Sequence, residues 1–238
     1  MWKKKTIWVV MPAYNEEKGI YNTVKNFLSI PEVDKVVVVD NNSKDKTIKL
    51  AKEAGAIVVE EKKQGYGYAC IRALKESKAD YTVLVESDDS FYPEDIYKFL
   101  GFIEHFDMVK GGRSNDHLID KEADWTPFLK YGNWFIAKLI QVLYGGPSMR
   151  ESGGTYRMIK KECLNTLLPY LSRGDAAFLP YMVTIASRLN FEILEIPIRY
   201  RKRSGISKIT GNRWGALKLG FTMIWVVIIN RIKPLKII

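Results

Sequence analysis

The chain has 238 residues, of which 47% are hydrophobic and 12% aromatic, so it can form a folded core and is not a disordered chain. Its two cysteines, Cys70 and Cys163, lie far apart with no CxxC spacing. This usage argues against a disulfide framework and a zinc site, and it favours a reducing compartment. We expect both cysteines to be buried packing residues.

The formal net charge of +10 comes from the C-terminal end of the chain. Ten of the 37 basic residues, and none of the 27 acidic residues, lie between 199 and 238. Such a basic block favours a polyanion or an anionic surface: phosphate, nucleic acid or lipid headgroups. At the other end, three lysines precede only a short apolar run over 6–11 without a small-residue cleavage site. We therefore expect no secretion signal and a cytosolic chain.

Strands and helices alternate through the first half of the sequence. The pattern predicts strands over 6–11, 35–40, 56–60, 81–86 and 108–111, with helices between them. The four consecutive valines at 36–39 are typical of a strand buried on both faces. This order predicts a doubly wound α/β fold, with a mostly parallel central sheet flanked by helices. Ligands of such sheets bind beyond the carboxyl ends of the strands.

The second half is less regular, with helices predicted over 127–144, 161–170, 176–189 and 214–232 and a strand over 191–198. The apolar core of the last helix, 219–229, is shorter than the about 20 residues that span a bilayer. Lys218 and Arg231 flank this core, and Trp214 and Trp225 suit the level of the headgroups. The pattern indicates an amphipathic helix in the membrane interface. Packing on the domain, or on a second copy in a homodimer, is the alternative.

Acidic residues crowd the end of the fourth predicted strand, where Glu86, Asp88 and Asp89 precede Pro93 and Glu94. Carboxylates at the end of a buried strand repel one another unless a cation lies between them. Helix capping near Pro93 explains Asp89 and Glu94, but not both Glu86 and Asp88. We therefore predict that Glu86 and Asp88 bind Mg²⁺ or Mn²⁺ together with a diphosphate.

Three motifs in chain order, Pro12-x-Tyr14-Asn15-Glu16, the segment 39–47 and Glu86-x-Asp88, resemble the inverting family 2 glycosyltransferases with a GT-A fold. The segments 63–69, 111–113, 153–157 and 203–208 are similar to dolichol-phosphate mannose synthases and related polyprenyl-phosphate hexosyltransferases. The resemblance covers roughly residues 5 to 210. The family usually has Asp-x-Asp, and here Glu86 replaces the first aspartate; glutamate also binds hard cations through oxygen.

The resemblance implies a GT-A catalytic domain over 1–210, with a nucleotide-binding half at 1–111 and an acceptor half at 112–210, followed by the helical segment 211–238. It implies an enzyme that moves a hexose from a UDP- or GDP-sugar, with inversion, to a polyprenyl (dolichyl) phosphate. The implied donor-binding residues are Pro12, Tyr14, Glu16, Asp40, Asn42, Glu86 and Asp88. Aromatic stacking and hydrogen bonds would hold the nucleotide base, and the metal would neutralise the leaving diphosphate.

A lipid phosphate is already ionised near neutral pH, so it needs no general base, but cations must hold it in line with the anomeric carbon. The resemblance implies these acceptor-phosphate ligands: Arg113, Arg157, Arg203, Ser207 and Lys208. Asp88, Arg113 and Arg157 are the implied catalytic residues. The alternative is transfer to a sugar hydroxyl with Asp175 as the base.

The sequence therefore leaves two classes of function as alternatives. The first is a metal-dependent glycosyltransferase at the cytoplasmic face of a membrane, held there peripherally or by a C-terminal anchor, with no nucleic-acid partner. The second is a non-catalytic module that binds an anionic surface or nucleic acid through the basic C-terminal block.

Overall fold

A mixed sheet forms the centre of the computed structural model, which describes residues 1–205 and 213–237 and, of Arg213, the backbone only. The described strands follow the spatial order β3-β2-β1-β4-β6-β5-β7. Their bounds are β1 Ile7–Ala13, β2 Lys35–Asp40, β3 Ile57–Glu60, β4 Tyr81–Leu84, β5 Met108–Gly112, β6 Arg157–Lys160 and β7 Ile193–Pro197. All of these are parallel except β6, which is antiparallel to both β4 and β5. The predicted α/β fold with a mostly parallel sheet is confirmed.

Helices cover both faces of this sheet. Their bounds are α1 Ile20–Leu28, α2 Thr47–Glu53, α3 Tyr66–Glu76, α4 Ile96–Leu100, α5 Pro127–Tyr144, α6 Lys161–Leu167, α7 Phe178–Arg188 and α8 Arg213–Ile232. The valines of β2 alternate between two hydrophobic cores, with Val37 and Val39 in one and Val36 and Val38 in the other. Both faces of β2 are therefore buried, as the valine run predicts. Cys70 and Cys163 are free and buried, as expected.

Among the boundaries that differ from the sequence prediction, two have a clear local cause. The fourth strand ends at Leu84 rather than at residue 86, because the chain leaves the sheet for a turn in which Asp89 has φ of 63°. The helix predicted over 161–170 is α-helical only to Leu167 and ends in a 3₁₀ turn, Leu168–Tyr170. Pro169 lies in this turn, and proline has no N–H to continue an α-helix.

The C-terminal half of the last helix, α8, is hydrogen-bonded to the rest of the domain. The hydroxyl of Tyr144 donates to the carbonyl of Val227 at 2.6 Å, and Arg188 donates to the carbonyl of Lys233 at 2.7 Å. In contrast, Trp214, Phe221 and Trp225 are 82%, 70% and 63% exposed. By length and composition, Trp214–Ile232 is long enough to cross a membrane, which the shorter core at 219–229 did not suggest. Its packed half nevertheless holds α8 against α5 and α7.

The strand order decides where ligands can bind. Because β2, β1 and β4 are adjacent and parallel, the polar segments that follow them meet at one edge of the sheet. These segments are 12–16, 40–43 and 86–88, the three clusters that the sequence predicts to converge.

A partly buried contact between Thr6 and Asp80 offers a test of the fold. Asp80 joins the start of β1 to the turn before β4: its Oδ2 accepts from the amide and the hydroxyl of Thr6, both at 2.9 Å. These hydrogen bonds lower the pKa of Asp80. We expect Asp80→Asn to lower the free energy of unfolding by about 1 kcal/mol at neutral pH, measured by urea denaturation.

The pH dependence of that difference has a defined sign. A carboxylate whose pKa is lowered on folding stabilises the protein above its unfolded pKa, and this contribution is lost as the pH falls through the folded pKa. The gap between wild type and Asp80→Asn should therefore shrink below about pH 4. Glu53→Gln, at an exposed residue, is the control and should change stability little. A difference in unfolding free energy between wild type and Asp80→Asn that is the same at neutral pH and well below about pH 4 would contradict the prediction.

Candidate active site

A cavity of about 490 Å³ opens at the edge where β1, β2 and β4 end. One half is polar, and its lining includes Pro12, Tyr14, Glu16, Asn41, Gln64, Glu86, Asp88, Arg113 and Arg203. The other half is apolar and lies among α5, α7 and α8, with Phe128, Leu129, Phe135, Ile136, Leu179, Leu217, Phe221 and Ile224 in its lining. One cavity thus joins charged groups to a hydrophobic channel.

Hydrogen bonds that involve side chains join the loop after β1 to the loop after β2. Asn15, which has φ of 52°, donates its amide to the hydroxyl of Ser43 at 2.9 Å and accepts from the amide of Lys44 at 2.7 Å. The amide of Glu16 donates to the hydroxyl of Thr47 at 2.8 Å. Asn15 and Ser43 therefore shape the loops, while Tyr14 and Glu16 line the cavity.

The predicted donor residues Asp40 and Asn42 differ in how they face this site. Asp40 is 2% exposed; its Oδ2 accepts from the amide of Ser43 at 3.1 Å, and its Oδ1 has no hydrogen-bond partner within the described ranges 1–205 and 213–237. Asn42 instead donates to Gln64 and to the carbonyl of Lys62. Neither belongs to the cavity lining, although their neighbour Asn41 does.

Asn41 is a site residue that the sequence reasoning did not single out. Its side chain donates to the carbonyls of Glu61 and Lys63 and accepts from the amide of Gly65 at 2.8 Å. It therefore fixes the loop 61–65 beside the cavity. It lay within the quoted 39–47 motif, but the pattern did not show which asparagine would turn inward.

The two predicted metal ligands lie side by side and are largely buried. Glu86 accepts from the hydroxyl of Thr155 at 2.7 Å, and the hydroxyl of Tyr66 is 3.0 Å from that of Thr155. Burial, and then the charge of Asp88, raise the pKa of Glu86 to about 7. Glu86 is therefore held in place by a chain of hydroxyl groups, and its charged form is costly without a nearby cation.

Asp88 is 1% exposed and belongs to the cavity lining. Its Oδ1 accepts from the amide and the hydroxyl of Ser90, whereas its Oδ2 has no hydrogen-bond partner in the part of the chain that the structure describes. A guanidinium nitrogen of Arg203 lies 3.3 Å from this Oδ2 and 3.3 Å from Glu16 Oε1.

This donor set fits a hard cation that is shared with phosphates. The described residues contain no group of three or more His, Cys, Asp or Glu side chains arranged to hold a metal. Two carboxylates, with an oxygen that lacks a hydrogen bond, match ions that keep most of their ligands from substrate and water, as Mg²⁺ does with one or two carboxylates. Glu86 and Asp88 are therefore suited to a metal–diphosphate complex rather than to a metal alone.

Among the predicted acceptor-phosphate ligands that line the cavity, Arg113 has the side chain with the most extensive contacts. Its guanidinium pairs with the buried carboxylate of Glu151 and lies 3.8 Å from the ring centroid of Trp125 and 4.6 Å from that of Tyr200. Burial opposes the ionisation of Glu151, but the charge and hydrogen bonds of Arg113 and the charge of Lys110 together outweigh it and hold the pKa of Glu151 below its ordinary value. The planar fork of Arg113 thus stands in a fixed orientation at the cavity wall.

Arg157 does not reach the cavity. Its side chain is fully buried and donates to the carbonyls of Gly154 and Thr155, with Met182 Sδ 3.6 Å from a terminal nitrogen. Burial lowers its pKa to about 10. These contacts hold the turn that carries Thr155, so they support a positioning role. Direct contact with phosphate stays a prediction, and Ser207 and Lys208 lie outside the described residues.

Asp175, the alternative base, also lies apart from the cavity lining. Its carboxylate pairs with Arg173 and accepts from the amide of Ala177 at 3.0 Å, at the start of α7. Its side chain is 52% exposed. The adjacent Ala176 lines the cavity, whereas the carboxylate of Asp175 is engaged by Arg173 and by the turn that precedes α7.

Comparison with known proteins agrees with this geometry. Residues 8–168 match the family model of glycosyl transferase family 2. Two relatives come from Haloferax volcanii: the low-salt glycan biosynthesis hexosyltransferase Agl6 (32% identity, 84% of this chain) and a dolichyl-phosphate hexose transferase (31% identity, 94% of this chain). This chain spans 49% of the length of the first and 95% of the second.

A third relative is the UDP-N-acetylglucosamine–dolichyl-phosphate N-acetylglucosaminyltransferase of Methanococcus voltae, 30% identical over 82% of this chain and 85% of that protein. Among solved structures, the glucosyl-3-phosphoglycerate synthase of Mycobacterium tuberculosis, with Mn²⁺, UDP-glucose and phosphoglyceric acid, has a TM-score of 0.73 at 18% identity. The match covers 97% of this chain and 81% of that one, and it shows a shared GT-A fold. The chain belongs to glycosyl transferase family 2 and is a glycosyltransferase.

Proposed function

We propose that this enzyme transfers a hexose from a UDP- or GDP-sugar to a polyprenyl (dolichyl) phosphate at a membrane surface, with inversion and with a divalent cation. The observation that carries the proposal is the single cavity, in which the acid pair and two arginines face a hydrophobic channel. A phosphate ester of a long apolar alcohol matches both halves at once. Relatives named for transfer to dolichyl phosphate support the same acceptor.

The donor would bind in the polar half. Tyr14, 39% exposed at the end of β1, offers a face for the nucleotide base. Asp40 lies behind the cavity lining, so its Oδ1 would accept from a base or ribose donor group only if the neighbouring loop moved. Glu86 and Asp88 would hold Mg²⁺ or Mn²⁺, which when bound supplies positive charge to the diphosphate leaving group. A solved structure of the same fold that contains Mn²⁺ and UDP-glucose supports this assignment.

The acceptor would enter from the apolar half, with its phosphate at Arg113 and Arg203. A phosphate oxygen forms the new bond to the anomeric carbon from the face opposite the diphosphate. The bond to the diphosphate breaks and the nucleotide leaves with the electron pair, so the configuration inverts. The ionised phosphate needs no general base, which agrees with the position of Asp175 away from the cavity lining.

The exposed apolar surface of α5 and α8 supports attachment to a membrane. Phe128, Tyr131 and Phe135 on α5 are at least half exposed, as are Trp214, Phe221 and Trp225 on α8. Patches of this kind on helices that flank a binding site are typical of membrane or partner surfaces. We propose peripheral or C-terminally anchored attachment at the cytoplasmic face, to which the free, buried cysteines are suited.

The non-catalytic alternative is not supported. The chain is a member of an enzyme family, and the arginines at the start of its basic block pair with acids of the chain itself: Arg199 with Asp95, Arg201 with Asp89 and Arg203 with Asp88. These side chains are directed at the protein rather than at an external polyanion.

The first test concerns the metal site. We expect Asp88→Asn to lower formation of the lipid-linked product by about 10²-fold or more, because one ligand charge is lost where the leaving group develops charge. The assay screens UDP- and GDP-hexoses with Mn²⁺ or Mg²⁺ against polyprenyl phosphate. Asp120→Asn, at an exposed acid, is the control and should keep normal turnover. Full activity of Asp88→Asn, or of wild type in chelator, would contradict metal dependence.

A second test separates the two acceptor classes. Asp175→Asn should leave turnover near that of wild type, because a phosphate acceptor requires no base. Asp124→Asn should do the same; Asp124 is an exposed acid in the cavity lining that is not one of the proposed metal ligands. Rates are compared at saturating donor. A loss of several orders of magnitude in either variant would favour a hydroxyl acceptor.

A third test examines the channel. Gly220 of α8 lines the cavity, and an added Cβ there meets no atom within 4 Å. Gly220→Leu should therefore fold, yet raise KM for a long polyprenyl phosphate at least about tenfold while sparing an acceptor of one or two isoprene units. Thr222→Leu, on the same helix but away from the lining, is the control. Equal effects on long and short acceptors would rule out this channel.

A further inference from the structure

An antiparallel ladder of ion pairs joins the segment 199–203 to the acidic turn at 88–95. Arg199 pairs with Asp95, Arg201 with Asp89 and Arg203 with Asp88, so the two segments run in opposite directions. Phe91 and Tyr200 form an antiparallel bridge between them. Alternate residues of an extended segment point to the same side, so the arginines at every second position can all face the acidic turn.

Two rungs of the ladder are firmly built. The amide and Nε of Arg199 donate to the two oxygens of Asp95 at 2.6 and 2.9 Å, and Asp95 is 1% exposed. The amide of Arg201 donates to the carbonyl of Ser90 at 2.9 Å, and its guanidinium binds both the carbonyl and the carboxylate of Asp89. Backbone and side-chain contacts together fix these two arginines.

In the third rung the backbone is fixed, because the amide of Ser204 donates to the carbonyl of Asp88 at 2.9 Å, but the side-chain contacts are long. Arg203 has one contact of 3.3 Å to Glu16 and one of 3.3 Å to Asp88 Oδ2, and its buried Nε has no hydrogen-bond partner among the residues described. Unlike Arg199 and Arg201, it lines the cavity. The oxygen that it faces also lacks a hydrogen bond to any described residue, and it is the atom of Asp88 that a metal would use.

We propose that Arg203 is an exchangeable counter-ion of Asp88: it neutralises Oδ2 until a divalent cation takes that oxygen, and it is then displaced toward the phosphates. This inference rests on the proposed metal site. Two cations at one carboxylate oxygen repel each other, so a metal and Arg203 compete for Oδ2. Arg199 and Arg201 keep the segment in place while the Arg203 side chain moves.

The exchange orders the binding of substrates. Arg203 is one of the two described arginines that line the cavity, the other being Arg113. As long as Arg203 pairs with Asp88 and Glu16, it is not available to an acceptor phosphate. Binding of the metal with the donor releases it, so the complete phosphate site forms only after the donor has bound. The enzyme would thereby avoid holding the lipid phosphate before a sugar is present.

The test is a titration of the full chain with Mn²⁺ alone, followed by electron paramagnetic resonance. Arg203→Met removes the competing charge and should bind Mn²⁺ about fivefold or more tightly than wild type. Arg203→Gln should behave likewise, and Arg203→Lys should stay close to wild type. Arg201→Met is the matched control: it removes an equal charge from the same segment, but one that pairs with Asp89, and it should not tighten Mn²⁺ binding.

Several results of the Mn²⁺ titration would contradict the proposal. Unchanged or weaker Mn²⁺ binding in both neutral variants at position 203 would overturn the exchange, as would equal tightening in Arg201→Met, which would indicate a general charge effect. Asp88→Asn tests the underlying site separately. If neither wild type nor the neutral variants at position 203 bind Mn²⁺ even with UDP or GDP present, or if Asp88→Asn binds it as well as wild type does, the proposed metal site is wrong and the exchange is excluded with it.

Discussion

Buried negative charge at the carboxyl end of β4 is the constraint around which the site is organised. Glu86 and Asp88 are carboxylates in a position with little access to water, and such groups are costly unless paired or hydrogen-bonded. Thr155 donates to Glu86, Ser90 donates to Asp88, and Arg203 lies between Asp88 and Glu16. The turn before β6 therefore supplies a hydroxyl donor, and the segment 199–203, beside the turn that follows β4, supplies positive charge.

The same arrangement explains how one cavity serves two chemically different substrates. The parallel strands supply loops whose polar groups meet at one edge, which suits a nucleotide diphosphate. The helices α5 and α8 supply an apolar wall that begins within the same cavity, which suits a lipid chain. Arg113 stands at the boundary, held by Glu151 and by the rings of Trp125 and Tyr200. A phosphate at this boundary would have its charge in one half and its chain in the other.

Much of the fold was predictable because its signals are local. The bounds of β2 and α5 agree with prediction, since a valine run and an amphipathic pattern that begins at a proline depend on neighbouring residues. The acid pair at 86 and 88 was also visible in the sequence. For Arg157 the motif implies a phosphate ligand, whereas its position in β6 directs the side chain toward Met182 and the core, which the sequence did not indicate. Asn41 and Thr155 were likewise within recognised motifs but had no assigned role.

The sequence by itself determined which segments form strands and helices, the family, and the acids that gather at the strand ends. Only the tertiary structure decided which basic side chains reach those acids. Period-two alternation sets the side of a strand on which a residue lies, but the partner on that side comes from a distant part of the chain. Arg203 meets Asp88 and Glu16 across 115 and 187 positions of sequence, and such pairings depend on packing rather than on local pattern.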